Sequence, residues 1–125
     1  MSTRWEQEGP SSGPVVSGFS GGGFKVDGQV YDSVIMTPTG ARSWAAPAVG
    51  ALSSDDLGDV PTMAPLPEFI LLGTGATLVR PPRVFVESLE ARGIGVEPMD
   101  SRAAARAWSV LRSEDRWIAA ALMPL

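Results

Sequence analysis

Residues 97–111, EPMDSRAAARAWSVL, decide the fold of this chain, because they join a strand end, a turn and a helix. Pro98 is tolerated only at a strand end or in an edge strand. Asp100 or Ser101 then supplies the side-chain oxygen that caps the first turn of a helix. The stretch therefore predicts a strand, a capped turn and an amphipathic helix. The predicted core stripe of this helix consists of Ala104, Ala107, Trp108 and Leu111.

The segments on either side of this unit predict further strands and a second helix. Residues 68–72, EFILL, end at Gly73 and are apolar enough for a buried central strand. Pro81-Pro82 begins a helix, since proline in the first turn costs no hydrogen bond, and Gly93 ends it. The next strand covers residues 94–99, and residues 117–123 form the last strand.

The N-terminal half predicts strands followed by a long irregular connection. Strands are expected at residues 15–19, 24–26 and 30–36, and Asp27-Gly28 is a strong signal for a tight hairpin turn. Residues 37–67 are rich in proline and have little periodicity, apart from a candidate strand near Ser43-Trp44. Ser53 or Ser54 is suited to cap one helical turn there.

The order of these elements predicts the fold class. Three strands, a long loop and then a strand–helix–strand–helix–strand series indicate an α/β fold with an open mixed sheet and helices packed on it. Residues 1–14 contain mainly turn and linker residues and are expected to be a disordered tail. Residues 15–125 are expected to form a single domain.

Composition excludes several classes of function. The chain has no cysteine and no histidine, which excludes disulfides, thiolate chemistry and histidine-based acid–base catalysis. We therefore expect no metal site and no cofactor. The formal net charge of −4 argues against nucleic-acid binding, which needs a basic surface. No apolar run is long enough to span a bilayer, and residues 1–8 lack a signal-peptide pattern, so we expect a cytoplasmic protein.

The Gly73-Thr74-Gly75 turn directly follows the predicted buried strand. Ligands of open α/β sheets bind beyond the carboxyl ends of strands, where main-chain N–H groups can hold an anion. The third glycine of a dinucleotide-binding loop is absent, and Pro81-Pro82 stands where such a loop continues into a helix. The turn therefore has two interpretations: an anion-binding site, or a tight turn that only glycine can form.

Charged side chains complete the predicted binding surface. Glu97 and Asp100 are close enough in sequence for acid–base chemistry, although a capping role is sufficient for Asp100. Arg102 and Arg106 are one helical turn apart and lie away from the core stripe, so they are solvated or meet a partner. The predicted binding surface comprises Gly73, Thr74, Gly75, Glu97, Asp100, Arg102, Arg106 and Arg116, and no catalytic residue is assigned.

The chain resembles a known family over about residues 15–123, weakly before Phe69 and more specifically after it. The family pattern combines a strand ending in Gly-Thr-Gly, a glutamate-x-methionine-aspartate strand end, a helix reading Ala-Ala-Cys-Arg-Thr-Tyr-Asn-Val-Leu, and an acid-x-arginine before an alanine-rich strand. The chain is similar to it over residues 72–75, 96–100, 103–111, 114–116 and 119–122. In these residues it resembles the small α/β domain of the NADH:ubiquinone oxidoreductase assembly factor 3 and adipogenesis-associated Mth-type proteins, which has many uncharacterised bacterial members.

The resemblance implies a fold and a class of function. The fold is the Mth-type arrangement, with three layers around a central mixed β-sheet flanked by helices. The eukaryotic relatives act in respiratory complex I assembly by associating with other proteins, and no enzymatic activity is established for the domain. Ala105, Ala107 and Ser109 replace the cysteine, threonine and asparagine of the family pattern. Those replacements fit a scaffold better than an enzyme.

Two functions follow from the sequence. The first is a non-enzymatic protein-binding or assembly-factor module, with an unidentified protein partner and a surface near the Gly73–Gly75 turn and the Asp100–Arg106 helix start. The second is a small-molecule or anion-binding protein, with or without enzymatic activity, whose site lies in the crevice beyond the C-terminal ends of the strands. In that second function Glu97 or Asp100 would be the acid–base group, and Arg106 or Arg116 would orient an anionic substrate.

Overall fold

A computed structural model describes residues 13–125, which form eight strands and two α-helices. The strands are β1 (Val16–Ser20), β2 (Gly23–Val26), β3 (Gln29–Tyr31), β4 (Val34–Thr37), β5 (Gly40–Ser43), β6 (Phe69–Gly73), β7 (Gly95–Met99) and β8 (Ala119–Leu122). The helices are α1 (Arg83–Glu90) and α2 (Ser101–Ser113). Short 3-10 helices at Val49–Ala51, Ser54–Leu57 and Val60–Thr62 lie between β5 and β6. Of the tail predicted at residues 1–14, only residues 13 and 14 belong to the described part.

The strands form two sheets. The central sheet has the order β5-β4-β8-β6-β7, in which β8 is antiparallel to β4 and parallel to β6. The smaller sheet, β1-β2-β3, is antiparallel. The mixed central sheet with its two helices confirms the predicted α/β class, and β7 is an edge strand, as Pro98 predicted.

The central sheet has a hydrophobic core on each face, because successive strand residues point to opposite sides. Ile70 and Leu72 of β6 pack with Phe85 and Leu89 of α1. Leu71, between them, packs on the other face with Trp108 of α2. The small sheet covers that same face, with its residues Phe24 and Val26 in the second core. The molecule therefore has three layers, as the family resemblance implied.

The N-terminal half differs from the prediction in two respects. The segment 37–67, expected to be mainly irregular, contains strand β5 and three 3-10 helices. Residues 30–36, expected as one strand, are divided between β3 of the small sheet and β4 of the central sheet. The break is at Ser33, whose hydroxyl donates a 2.6 Å hydrogen bond to the carbonyl of Trp44 as the chain passes from one sheet to the other. The hairpin at Asp27-Gly28 is confirmed, with positive φ angles of 49° and 85° that suit its tight turn.

Helix α2 begins as predicted, and its buried face differs in part from the predicted core stripe. Asp100 is its N-cap, and the carboxylate accepts a 2.9 Å hydrogen bond from the N–H of Ala103. Trp108 is fully buried, as the core stripe required. The buried face also includes Ser101, Ala105 and Arg112, which the sequence pattern did not indicate, whereas Ala107 and Leu111 are only partly buried. Ser53, likewise, caps its 3-10 turn through a capping box.

Three tryptophans attach irregular segments of the chain to the core. In each case the indole N–H donates to a main-chain carbonyl far away in sequence, so one side chain supplies both apolar packing and a hydrogen bond. The pairs are Trp108 with Pro14 at 3.0 Å, Trp44 with Leu122 at 3.1 Å, and Trp117 with Pro65 at 2.9 Å.

Candidate functional site

The polar groups of the Gly73-Thr74-Gly75 turn are bonded within the fold. The N–H of Thr74 donates to the carbonyl of Met99 at 2.9 Å, and the N–H of Gly75 donates to the hydroxyl oxygen of Ser101 at 2.8 Å. The Ser101 hydroxyl in turn donates to the carbonyl of Met123 at 2.8 Å. An anion at the turn would need these two N–H groups, but they instead join the end of β6 to β7 and to α2. The Ser101 hydroxyl extends this link to the end of β8.

The two glycines of the turn have steric reasons to be glycine. A Cβ atom on Gly73 would lie 2.7 Å from the Ser101 hydroxyl oxygen and 2.8 Å from its Cα, which is too close for any side chain. Gly75 has a φ of +107°, a backbone conformation that L residues rarely adopt. The turn lets the start of α2 approach the end of β6 directly, and this explains the motif without a ligand.

The predicted carboxylates have separate environments. Asp100 is half-buried and its carboxylate is engaged as the α2 cap. Glu97 lies on the edge strand β7, opposite Leu71 of β6 in register, and its side chain is exposed. One acid therefore has a structural role in the helix start, whereas the other faces solvent.

Arg116 lies at the opposite end of β6 from the glycine turn. Its guanidinium donates to both carboxylate oxygens of Glu68, with a shortest distance of 2.7 Å, and lies over the ring of Phe69 at 5.7 Å. The hydrogen bond from Arg116 holds the pKa of Glu68 below its usual value, and the same bond raises the pKa of Arg116. Glu68 and Phe69 are at the beginning of β6 and Gly73 is at its end. The structure therefore does not bring Arg116 together with the other predicted residues.

Arg102 and Arg106 lie side by side on the exposed face of α2, as predicted, and they face the small sheet. The guanidinium of Arg102 is 5.4 Å from the ring centroid of Phe19 in β1, a cation–π contact. Arg106 borders a groove between β1 and α2. Among residues 13–125, neither arginine takes part in an ion pair. Both charges are thus available to a partner.

The groove between β1 and α2 has a volume of about 400 Å³ and a mainly apolar lining. Phe19 and Val110 line it with 39% and 57% of their area exposed, so an apolar patch is open to solvent there. One feature of the sequence indicates this groove, because Val110 is an apolar residue off the predicted core stripe of α2. The lining consists of Val16, Ser17, Gly18, Phe19, Ala105, Arg106, Ser109 and Val110.

Residues 13–125 contain no group of three or more carboxylates arranged to hold a metal ion. Neither of the helices in this range is long and apolar enough to cross a membrane.

Comparison with known proteins identifies relatives over nearly the whole described region. A family model described as "Protein of unknown function (DUF498/DUF598)" matches residues 16–123. The chain is 33% identical over 119 residues to a protein of Danio rerio named NADH dehydrogenase (ubiquinone) 1 alpha subcomplex assembly factor 3. That alignment covers 94% of this chain and 68% of the relative.

Solved structures share the fold. A crystal structure of a Bordetella parapertussis protein superposes with a TM-score of 0.81 at 29% identity, covering 91% of this chain and 98% of that one. A solution structure from Bordetella pertussis, described as a Mth938-like domain, has a TM-score of 0.76 at 24% identity, covering 89% of this chain and 85% of that one. The resemblance found in the sequence is confirmed by the family match and by these structures.

Proposed function

Because this chain belongs to the family of proteins described as DUF498/DUF598, we propose that it is a non-enzymatic protein-binding module that acts in the assembly of a multi-subunit complex. The name of its Danio rerio relative suggests NADH dehydrogenase as that complex. The proposed binding surface includes Arg102 and Arg106, two of the residues expected from the sequence, and extends over the groove between β1 and α2.

One observation carries the proposal. The N–H groups of Thr74 and Gly75 are bonded inside the fold, whereas the exposed surface beside α2 is apolar and bordered by two arginines. Protein interfaces use apolar and arginine-rich patches of this kind, and arginine is enriched in them. A site for a small anion would instead need free donors at the strand ends.

The same contacts weigh against the small-molecule function. Asp100 is held as a helix cap and Arg116 is bound to Glu68, so two of the groups considered for acid–base work or for anion binding already have partners. Ala105, at the cysteine position of the family pattern, lines the groove but offers no reactive atom. A thermal-shift screen of anionic metabolites tests this alternative, since a ligand at 100 times its Kd stabilises a protein by about 2.7 kcal/mol.

Affinity purification tests the proposed function. The tagged chain is expressed in its native cells, purified under mild conditions and analysed by mass spectrometry. We expect a reproducible protein partner, with subunits or assembly intermediates of NADH dehydrogenase as the specific outcome. Recovery of the free chain alone at several salt concentrations would contradict the proposal.

A matched pair of valines locates the surface in that experiment. Val110 on α2 is 57% exposed beside the groove, and Val84 on α1 is 77% exposed on the other face of the central sheet. Val110→Asp should lose the partner and Val84→Asp should keep it, because only the first places a charge in the apolar surface. Equal loss in both variants would contradict the location of the surface, whereas a partner retained by both would place the interface elsewhere.

A further inference from the structure

We infer that the groove between β1 and α2 binds an extended segment of a partner protein that carries a large apolar side chain beside an acidic one. This inference rests on the proposed protein-binding function and adds the chemistry of the partner. It follows from the shape of the groove, the exposure of its walls, its charges and the strand that borders it.

Small residues from two distant parts of the chain create the space. Gly18 of β1 has no side chain, and a Cβ atom there would meet nothing within 4 Å. Ala105 and Ser109, one turn apart on α2, line the opposite side. The β1 side runs from Val16 to Phe19, which is roughly 10 Å of extended chain, so the groove accommodates about three residues of a strand-like segment.

The walls favour a polypeptide over a small molecule. Small ligands bind where most of their surface is enclosed. Here Phe19, Arg106 and Val110 are all exposed, so a small apolar ligand in the groove would remain largely in contact with water. A polypeptide can place one side chain in the groove and cover the exposed edges with its neighbouring residues. In protein interfaces, the residues around an anchor side chain exclude water in this way.

The charges of the rim select an acidic segment. Arg102 and Arg106 lie on the α2 side and make no ion pair within residues 13–125. The whole chain carries a formal charge of −4, so this positive rim is opposite in sign to the molecule as a whole. Carboxylates of a partner can accept paired hydrogen bonds from either guanidinium.

The bordering strand favours an extended conformation. Among the described strands, β1 pairs only with β2, so it is an edge strand of the small sheet. Edge strands leave main-chain N–H and C=O groups open to a further strand. Extended peptides bind to such edges through main-chain hydrogen bonds, and pockets for alternate side chains supply their specificity.

Selection from a random peptide library displayed on phage tests the inference, with the full chain as the target. The groove-filling variant Gly18→Leu should fold normally, because the added side chain enters open space. Gly40→Leu is the matched control, since Gly40 is also a strand glycine whose Cβ direction is empty, on β5 of the central sheet. We expect enriched peptides that combine a large apolar residue with Asp or Glu.

The selected peptides are then synthesised and their affinities measured by calorimetry. Gly18→Leu should abolish binding and Gly40→Leu should leave it unchanged. Arg106→Glu should weaken binding by about tenfold, because the attraction between Arg106 and a peptide carboxylate becomes a repulsion. A higher salt concentration should reduce the difference in affinity between this variant and the unchanged chain.

Three results would overturn the inference. They are the absence of any enriched peptide, enrichment without acidic residues, and binding that Gly18→Leu does not impair. The proposed function is tested separately by affinity purification from native cells. If a partner is recovered equally with Gly18→Leu and with the unchanged chain, the groove inference fails while the protein-binding function stands.

Discussion

Replacement of Trp108 by alanine should destabilise the domain more than any change on the arginine face of α2. The indole is fully buried in the core between α2 and the central sheet. Truncation of a buried aromatic residue to alanine costs roughly 3–5 kcal/mol, because transfer free energy is lost and a cavity remains. The carbonyl of Pro14 also loses its 3.0 Å hydrogen bond from the indole N–H. We therefore expect a loss of about 4 kcal/mol in the free energy of unfolding.

Two further variants divide that loss into its causes. Trp108→Phe keeps much of the apolar volume but removes the N–H donor, so it should cost about 1–3 kcal/mol through a smaller cavity and an unpaired carbonyl. Arg106→Ala removes an exposed side chain without an ion pair in the described chain, so it should cost about 0.5 kcal/mol or less.

Urea denaturation followed by far-ultraviolet circular dichroism measures all three variants, since this signal does not depend on the altered indole. With a denaturant slope of about 1.5 kcal/mol per molar, a loss of 4 kcal/mol lowers the urea midpoint by about 2.7 M. If Arg106→Ala lowers the midpoint as far as Trp108→Ala, then Arg106 has a structural role, and the proposed recognition surface loses one of its two charges. A Trp108→Ala loss below about 1 kcal/mol would refute the packing argument itself.

Two other predictions concern the glycine turn and the ion pair at the start of β6. Gly73→Ala should lower the free energy of unfolding by about 1–3 kcal/mol in urea denaturation, because its Cβ would lie within 2.8 Å of Ser101. Gly40→Ala should be nearly neutral, since its Cβ would meet nothing within 4 Å. Equal losses in the two variants would refute the steric explanation. The hydrogen bond from Arg116 lowers the pKa of Glu68 from its usual value of 4.5. The ionised Glu68 therefore contributes its full stabilisation above pH 4.5, and this stabilisation is lost as the pH falls through the lowered pKa. Stability should therefore fall less steeply below pH 4.5 in Glu68→Gln than in the unchanged chain, and identical slopes would contradict this.

The sequence predicted those parts of the fold that short-range signals determine. Asp100 caps α2, and Trp108 is in the core because its spacing from Ala104 is that of one helix face. The apolar residues of β6 similarly predict a strand buried on both faces. In each case the deciding contacts lie within a few residues or follow from a regular period.

The sequence could not predict contacts that join distant segments. The sequence predicts one strand over residues 30–36, in which only Asp32-Ser33 interrupts the apolar pattern. Ser33 instead forms its hydrogen bond with Trp44, and the strand divides there between two sheets. Arg116 was expected near the glycine turn, yet its partner Glu68 precedes it by 48 residues. The groove likewise depends on Gly18 and Ala105 meeting across the molecule, and no local spacing encodes that approach.

The position of β8 in the central sheet has a consequence for the order in which the chain can fold. It is the last described strand to be synthesised, yet it lies between β4 and β6 and hydrogen-bonds to both. Until residues 119–122 leave the ribosome, the β5-β4 hairpin and the β6-β7 pair have no strand to connect them. The edges of β4 and β6 that β8 will join stay unpaired until then, so the central sheet can close only after residues 119–122 have left the ribosome.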